Sequence, residues 1–131
     1  MIVAVADTHA LLWALMGDPR LSPAARAALT VSAADQIAVS AISLVEIAYL
    51  EEKRRLPAGL LARVITSVAT SAGVMTEVPG DLSVVKAMIR VPRDAIPDMP
   101  DRIIAATALH LGVPLISRDA KIRASSITTI W

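Results

Sequence analysis

With 131 residues, 55% of them hydrophobic and only 2% aromatic, the chain has the size of one domain whose core Val, Ile, Leu and Ala must fill. The absence of cysteine excludes disulfides, thiolate metal sites and Cys nucleophiles, and no segment reaches the ~18 uninterrupted apolar residues of a membrane span. The formal net charge of +1 is uninformative until the positions of the acids are known.

Residues 2–6 are a continuous apolar run closed by Asp7, which reads as a parallel strand buried on both faces. The run lacks the basic flank of a signal peptide and carries Asp7 and His9 where the apolar region would continue, so the chain reads as soluble. A helical pattern follows over 10–16 and stops at Gly17-Asp18-Pro19. Ser22, with Pro23 at the first helical position, opens a short helix to Leu29. A second strand spans 37–40; Ser43 then caps a helix with Glu46 three residues on, the spacing of a capping box. Glu51-Glu52-Lys53-Arg54-Arg55 reads as a solvated helix end and, with Pro57, separates this helix from another over 58–71. A third strand at 74–78, a short helix at 81–88 and a charged, proline-rich loop at 91–100 come next. The helix at 100–111 stops at Gly112, a fourth strand spans 113–117, and a fifth at 127–130 lies at an edge. No repeat or long linker interrupts residues 1–131, which read as a single domain. Strands alternating with helices imply an α/β fold, a mostly parallel five-stranded sheet between helical layers. The pattern does not order the strands.

Four acids occupy positions that an ordinary solvated carboxylate would not choose. Asp7 ends a core strand, and the C-terminal edge of an open α/β sheet is where ligands bind. Glu46 has Ile42, Tyr49 and Leu50 one helical turn away, an apolar stripe, although a purely capping role beside Ser43 would also account for it. Asp101 shares its helical face with Ile104, Ala105 and Ala108; the helix dipole would favour an acid in this first turn on any face, whereas a site explains its place on the buried one. Asp119 follows a strand as Asp7 does and emerges on the same edge; alone it would read as an ordinary loop aspartate beside Arg118, and the argument rests on all four acids together. Asp98 fits two roles, N-cap of the helix or auxiliary ligand.

Carboxylates without His or Cys companions have the chemistry of a hard-cation site, for Mg²⁺ or Mn²⁺. Such a cation removes the conflict between like charges, polarises a phosphoryl oxygen and makes water a nucleophile for in-line displacement. Thr8, Ser43 and Ser117 each lie close in sequence to one of the acids and are auxiliary candidates for orienting a ligand or that water. With four of the 12 acids sequestered, 13 basic residues face eight acidic ones, and ten of the 13 are arginine, the side chain best matched to phosphate. Among the arginines, Arg102, Arg118 and Arg123 are near the acids in sequence, with a solvated surface position as the default for each. His9 is expected to face away from the site, and Trp13 and Trp131 to pack rather than stack on bases.

These residues resemble the PIN domain, and within it the VapC-type toxin ribonucleases of type II toxin–antitoxin pairs. The resemblance spans essentially the whole chain. It rests on Asp7-Thr8-His9-Ala10-Leu11-Leu12-Trp13, on Ser40-Ala-Ile-Ser43-Leu-Val-Glu46-Ile-Ala48, on Asp98-Met-Pro-Asp101-Arg102-Ile-Ile-Ala-Ala, and on Ser117-Arg118-Asp119 with a terminal Ile130-Trp131. It implies a five-stranded sheet in an α/β/α sandwich and Mg²⁺- or Mn²⁺-dependent endoribonuclease activity leaving a 5′-phosphate and a 3′-hydroxyl. Asp7, Glu46, Asp101 and Asp119 match the family's acidic quartet, with Thr8 or Ser117 in support. Where the family often has Asp-Pro-Phe-Asp-Arg, this chain has Asp98-Met-Pro-Asp101-Arg102, which keeps both acids and moves the proline. The resemblance also implies an RNA substrate, a cytoplasmic homodimer and a cognate antitoxin whose C-terminal segment covers the groove and inserts an arginine among the acids. The surplus of apolar residues is consistent with both protein contacts.

Two other classes compete with this expectation. A PIN-like module with weak or no activity could bind RNA or protein through the same residues. A receiver-type phosphoacceptor domain also groups acids at strand ends, but it needs an acidic pair near the first strand end and a further Asp after a later core strand. The lone Asp7 and the absence of an Asp closing 37–40 argue against it.

Overall fold

The computed structural model describes residues 1–70 and 73–131. Strands β1 (Ile2–Ala6), β2 (Gln36–Ser40), β3 (Met75–Val78), β4 (Leu115–Ile116) and β5 (Thr129–Ile130) form one parallel sheet in the order β3-β2-β1-β4-β5. The chain winds outward from β1 to β3 on one side and then crosses to β4 on the other. The crevice between the C-terminal ends of β1 and β4 is therefore a topological switch point, the place where open α/β sheets bind ligands. As the sequence implied, the last strand lies at an edge.

Period-two alternation sorts the core into two layers. Ala4 and Ala6 of β1, Ile37 and Val39 of β2 and Ile116 of β4 face one side, where α1 (Thr8–Met16), α2 (Pro23–Leu29), α3 (Ala41–Glu52) and α4 (Leu60–Ala69) supply Leu11, Leu12, Ala25, Ile47 and Val64. Val5, Ala38 and Leu115 face the other side, covered by α5 (Leu82–Ile89), α6 (Met99–Leu111) and α7 (Ala120–Ala124) through Val84, Ile104, Ala105 and Ile122. This is the α/β/α sandwich expected. Ala105, Ala106 and Ala108 give α6 a face without long side chains, so it lies close on the central strands and carries its first turn to their C-terminal edge. No helix among the described residues is long and apolar enough to cross a membrane.

Local structure departs from the sequence reading in instructive places. The first helix begins at Thr8 rather than at residue 10, because Asp7 is itself the N-cap, its Oδ1 accepting from the Ala10 N–H at 2.7 Å. Ser43 is not a cap: β2 runs into α3 without a loop, Ser40 takes the N-cap position, and Ser43 lies fully buried inside the helix. The capping-box reading of Ser43 and Glu46 is therefore overturned. Glu51 is not a merely solvated helix end. Its carboxylate accepts from Gly59 N at 2.9 Å and Leu61 N at 3.0 Å, satisfying the start of α4, whose N-cap Gly59, at φ +94°, offers no side chain. The end expected for that helix at Ser71 lies outside the described residues. Asp98 is the N-cap of α6, and Gly112 ends that helix in the left-handed conformation at φ +67°. α7 was not anticipated: five residues with Ile122 as their one buried anchor are too few for periodicity to register.

Candidate active site

The switch-point crevice receives side chains from both strands that border it. Asp7 follows β1 and Ser117 follows β4, each one residue beyond the paired Ala6 and Ile116. Asp7 is only 7% exposed, and burial pushes its carboxyl above the ordinary range; the Ser117 hydroxyl, the Ala10 N–H and the positive side of His9 oppose that rise, while Asp119 adds to it. Ser117 is fully buried, and its Oγ accepts from the Asp119 N–H at 3.1 Å, tying the second strand-end acid to the first. Asp119 caps α7, its Oδ1 accepting from Lys121 N and Ile122 N at 2.9 Å each.

α3 brings Glu46 to the same place through Thr8. Thr8 Oγ1 lies 2.7 Å from Glu46 Oε1 and 2.9 Å from Ser43 Oγ, and both hydroxyls are buried. A hydroxyl carries one proton and an ionised carboxylate can only accept, so Thr8 donates to Glu46 and Ser43 completes the chain from the other side. Half-burial raises the Glu46 carboxyl; Thr8 counteracts this, and Asp98 and Asp7 raise it further. Asp101, in the first turn of α6, is pushed up to about 7 by burial and by the charges of Asp98, Asp119, Glu46 and Asp7. One carboxylate thus feels all the others, and the four sequence candidates and Asp98 form a single electrostatic cluster.

An open pocket of about 320 Å³ is bordered by Asp7, Thr8, Asp101 and Asp119 on its acidic side. His9, Trp13, Arg20 and Arg118 border the other side. Glu46 stands behind Thr8 rather than on the pocket wall. The donor chemistry, carboxylates and hydroxyls, is that of a hard divalent cation. Among the described residues, no three His, Cys, Asp or Glu side chains stand close enough together to hold a metal ion as they are. Part of the reason is local: Asp7, Asp98 and Asp119 each commit Oδ1 to a helix N-terminus, which leaves Oδ2 for another partner.

The basic and aromatic side of the pocket is where sequence reasoning fell short. His9 was expected to face away, yet it lines the pocket, its ring 5.7 Å from that of Trp13. Trp13 packs as expected, 7% exposed and edge-on to Trp131 at 5.7 Å. Arg118 reaches the pocket with its guanidinium carbon 5.5 Å from the Trp13 centroid. Arg20, which the sequence did not single out, lies over the same ring at 4.8 Å. Arg102 turns elsewhere: Nε donates to Val91 O at 2.8 Å and Nη2 to Met88 O at 3.0 Å, pinning the end of α5. Arg123 is exposed on α7 and does not border the pocket. The signal for Arg20 was its spacing from Asp18; nothing local places that loop above Trp13.

Residues 4–126 match the family model described as PIN domain. The chain is 32% identical over 134 residues to Ribonuclease VapC22 of Mycobacterium tuberculosis (strain ATCC 25618 / H37Rv), with all of both chains covered. Among solved structures, a toxin-antitoxin complex from Klebsiella pneumoniae is similar at a TM-score of 0.69 and 22% identity, covering 98% of this chain and 96% of that one. The crystal structure of VapBC2 from Rickettsia felis bound to a DNA fragment from their promoter gives a TM-score of 0.68 at 15% identity, covering 98% and 97%. At such identities these structures speak for the fold.

Proposed function

The chain belongs to the PIN domain family, to its VapC-type ribonucleases, and from that membership and the carboxylate cluster we propose that it hydrolyses RNA phosphodiester bonds with Mg²⁺ or Mn²⁺ as the toxin of a toxin–antitoxin pair. The single observation that carries this reading is the gathering of Asp7, Asp101 and Asp119 around one pocket at the switch point, with Glu46 bonded to Thr8 behind its wall. Carboxylates arranged so have no structural use for one another.

Asp7, Asp101 and Asp119, with Glu46 behind Thr8, are the residues that would hold the cation. When bound, it supplies charge that offsets the acids, polarises a phosphoryl oxygen and lowers the pKa of water. The chain's own residues do the positioning. Ser117 and the Ala10 N–H hold Asp7; Thr8 and Ser43 fix the rotamer of Glu46; Asp98 and Asp119 anchor α6 and α7 against the pocket. Burial and the neighbouring acids push Asp101 up to about 7, so its affinity for a cation would depend on pH. The partner side of the proposal is an antitoxin protein, as in the similar complex structures, with a second copy of the chain and a cytoplasmic setting. Exposed Leu82, Val85 and Ile89 on α5 and Met99 on α6 support a protein contact.

The test is cleavage of single-stranded RNA by the full chain with Mg²⁺, with Mn²⁺ and with EDTA, alongside Asp7→Asn. Metal-dependent cleavage lost in a folded Asp7→Asn supports the reading. Cleavage undiminished in EDTA or in that variant overturns it. RNA binding without turnover, free of antitoxin, would favour a binding module instead.

A further inference from the structure

Arg20 is held more firmly than a surface arginine needs to be. Asp18 grips it from two residues away: Arg20 Nε donates to Asp18 Oδ1 at 3.1 Å, Nη2 donates to Oδ2 at 2.7 Å, and the Arg20 backbone N–H donates to Oδ1 at 2.9 Å. Trp13 supports the guanidinium at 4.8 Å from the ring centroid, and Trp13 is itself wedged against Trp131. Two of the five guanidinium N–H groups go to Asp18, which leaves three donors on a group that borders the pocket. The side chain remains 56% exposed, so those donors are accessible.

Arg118 approaches the same ring. Two guanidinium carbons each within 5.5 Å of one centroid are at most about 11 Å apart, and both border the pocket opposite Asp7, Asp101 and Asp119. Asp18 neutralises the long-range field of Arg20 but fixes its fork in advance, so Arg20 offers directed hydrogen bonds at low entropic cost, with Arg118 providing the uncompensated charge. The acidic side of the pocket repels a bare phosphate; the arginine side accepts one.

We propose that Arg20, preset by Asp18 and Trp13, together with Arg118 forms a clamp for an RNA backbone phosphate next to the one cut at the carboxylates, and so positions the strand. Arg20 is a positioning residue in this arrangement. The inference rests on the ribonuclease reading and names the part of that site that grips substrate.

The test uses the full chain and a mixed-sequence single-stranded RNA oligonucleotide, with steady-state cleavage in the parent protein and equilibrium binding in an Asp7→Asn background at several salt concentrations. Arg20→Gln is expected to raise KM about tenfold, with the larger part of the loss in KM rather than kcat. It should also flatten the plot of log affinity against log salt by about 0.7, the share of one phosphate contact on a single strand. Arg20→Lys should recover the salt slope but not KM, because an ammonium keeps the charge and loses the fork. An unchanged KM and salt slope in a folded Arg20→Gln that still cleaves overturns this inference and leaves the ribonuclease reading standing. So does an Arg20→Gln that loses affinity for an acidic peptide but not for RNA, which would assign the pair to a protein partner. If the unsubstituted chain neither cleaves nor binds RNA, the ribonuclease reading fails and this inference with it.

Discussion

Thr8 on α1 donates its hydroxyl to Glu46 on α3 across 2.7 Å, joining the end of β1 to a helix that follows a different strand. The contact is partly buried and continues to the fully buried Ser43 at 2.9 Å, so it sets both the rotamer of Glu46 and the spacing of the two helices. Replacing Thr8 with Val keeps the shape and removes the donor. The buried Ser43 hydroxyl then lacks its partner, as does the half-buried Glu46 carboxylate, and a buried polar group left unpaired costs about 1–3 kcal/mol. Thr8→Val is expected to lower stability by about that amount and kcat about tenfold, whereas Thr8→Ser retains most of both. Urea unfolding and RNA cleavage kinetics on the same preparations measure the two effects.

Asp101 makes the metal-free protein sensitive to alkali. Its folded pKa of about 7 lies above the ordinary aspartate value of 3.8, so between these limits the folded state binds more protons than the unfolded one. Stability therefore falls as pH rises from about 4 towards 7 and levels off above, the reverse of the usual carboxylate behaviour. The raised carboxyls of Asp7 and Glu46 act in the same direction. Urea unfolding in EDTA at pH 5 and pH 8 should show the loss. Asp101→Asn should remove part of it, gaining about 1 kcal/mol at pH 8 once the shift is discounted for the solvent that screens a half-exposed group. A flat profile in the parent chain would remove the electrostatic basis of the cluster.

On the proposed reading, divalent cation and protons compete for the same carboxylates. Mg²⁺ or Mn²⁺ should therefore raise the melting temperature more at pH 8 than at pH 5, and EDTA should reverse the gain. A thermal shift series across both pH values and both ions tests this without reference to activity. An equal shift at the two pH values would place the ion elsewhere.

Arg102 stands one residue from Asp101 yet serves the fold. Its guanidinium joins α6 to the carbonyls of Met88 and Val91, and Arg102→Ala removes both bonds, leaving Met88 O only the Val91 N–H and Val91 O without its donor. A loss of about 2–3 kcal/mol is expected, two hydrogen bonds from a charged donor, with little change in cleavage per folded molecule. Chemical denaturation and active-fraction-corrected kinetics separate the two. A large fall in kcat in the folded variant would return Arg102 to the site.

Asp7, Glu46 and Asp101 were legible as candidates from the chain alone because each breaks a local rule, a charge closing a buried strand or a charge on an apolar helical stripe, whereas Asp119 stood out only in their company. The parallel α/β architecture was legible for the same reason, since strand and helix periods differ and can be read within a few residues. What surrounds the acids was not. The contacts of Thr8 with Ser43 and Glu46 join residues 35 and 38 positions apart, and no local pattern reports them. The roles of Ser43 and Glu51 turned on where neighbouring helices begin, and the strand order on a crossover the pattern leaves free. His9 meets Trp13 by the i,i+4 spacing of α1, whereas Arg20 and Arg118 reach the same ring only because the loop after α1 and the turn after β4 converge on it, while Arg102 bends away towards α5. The sequence by itself determined which residues carry charge into the core and on which face of each element. Tertiary packing decided which of those charges meet, because proximity between distant segments is set by the docking of whole elements rather than by any residue's neighbours along the chain.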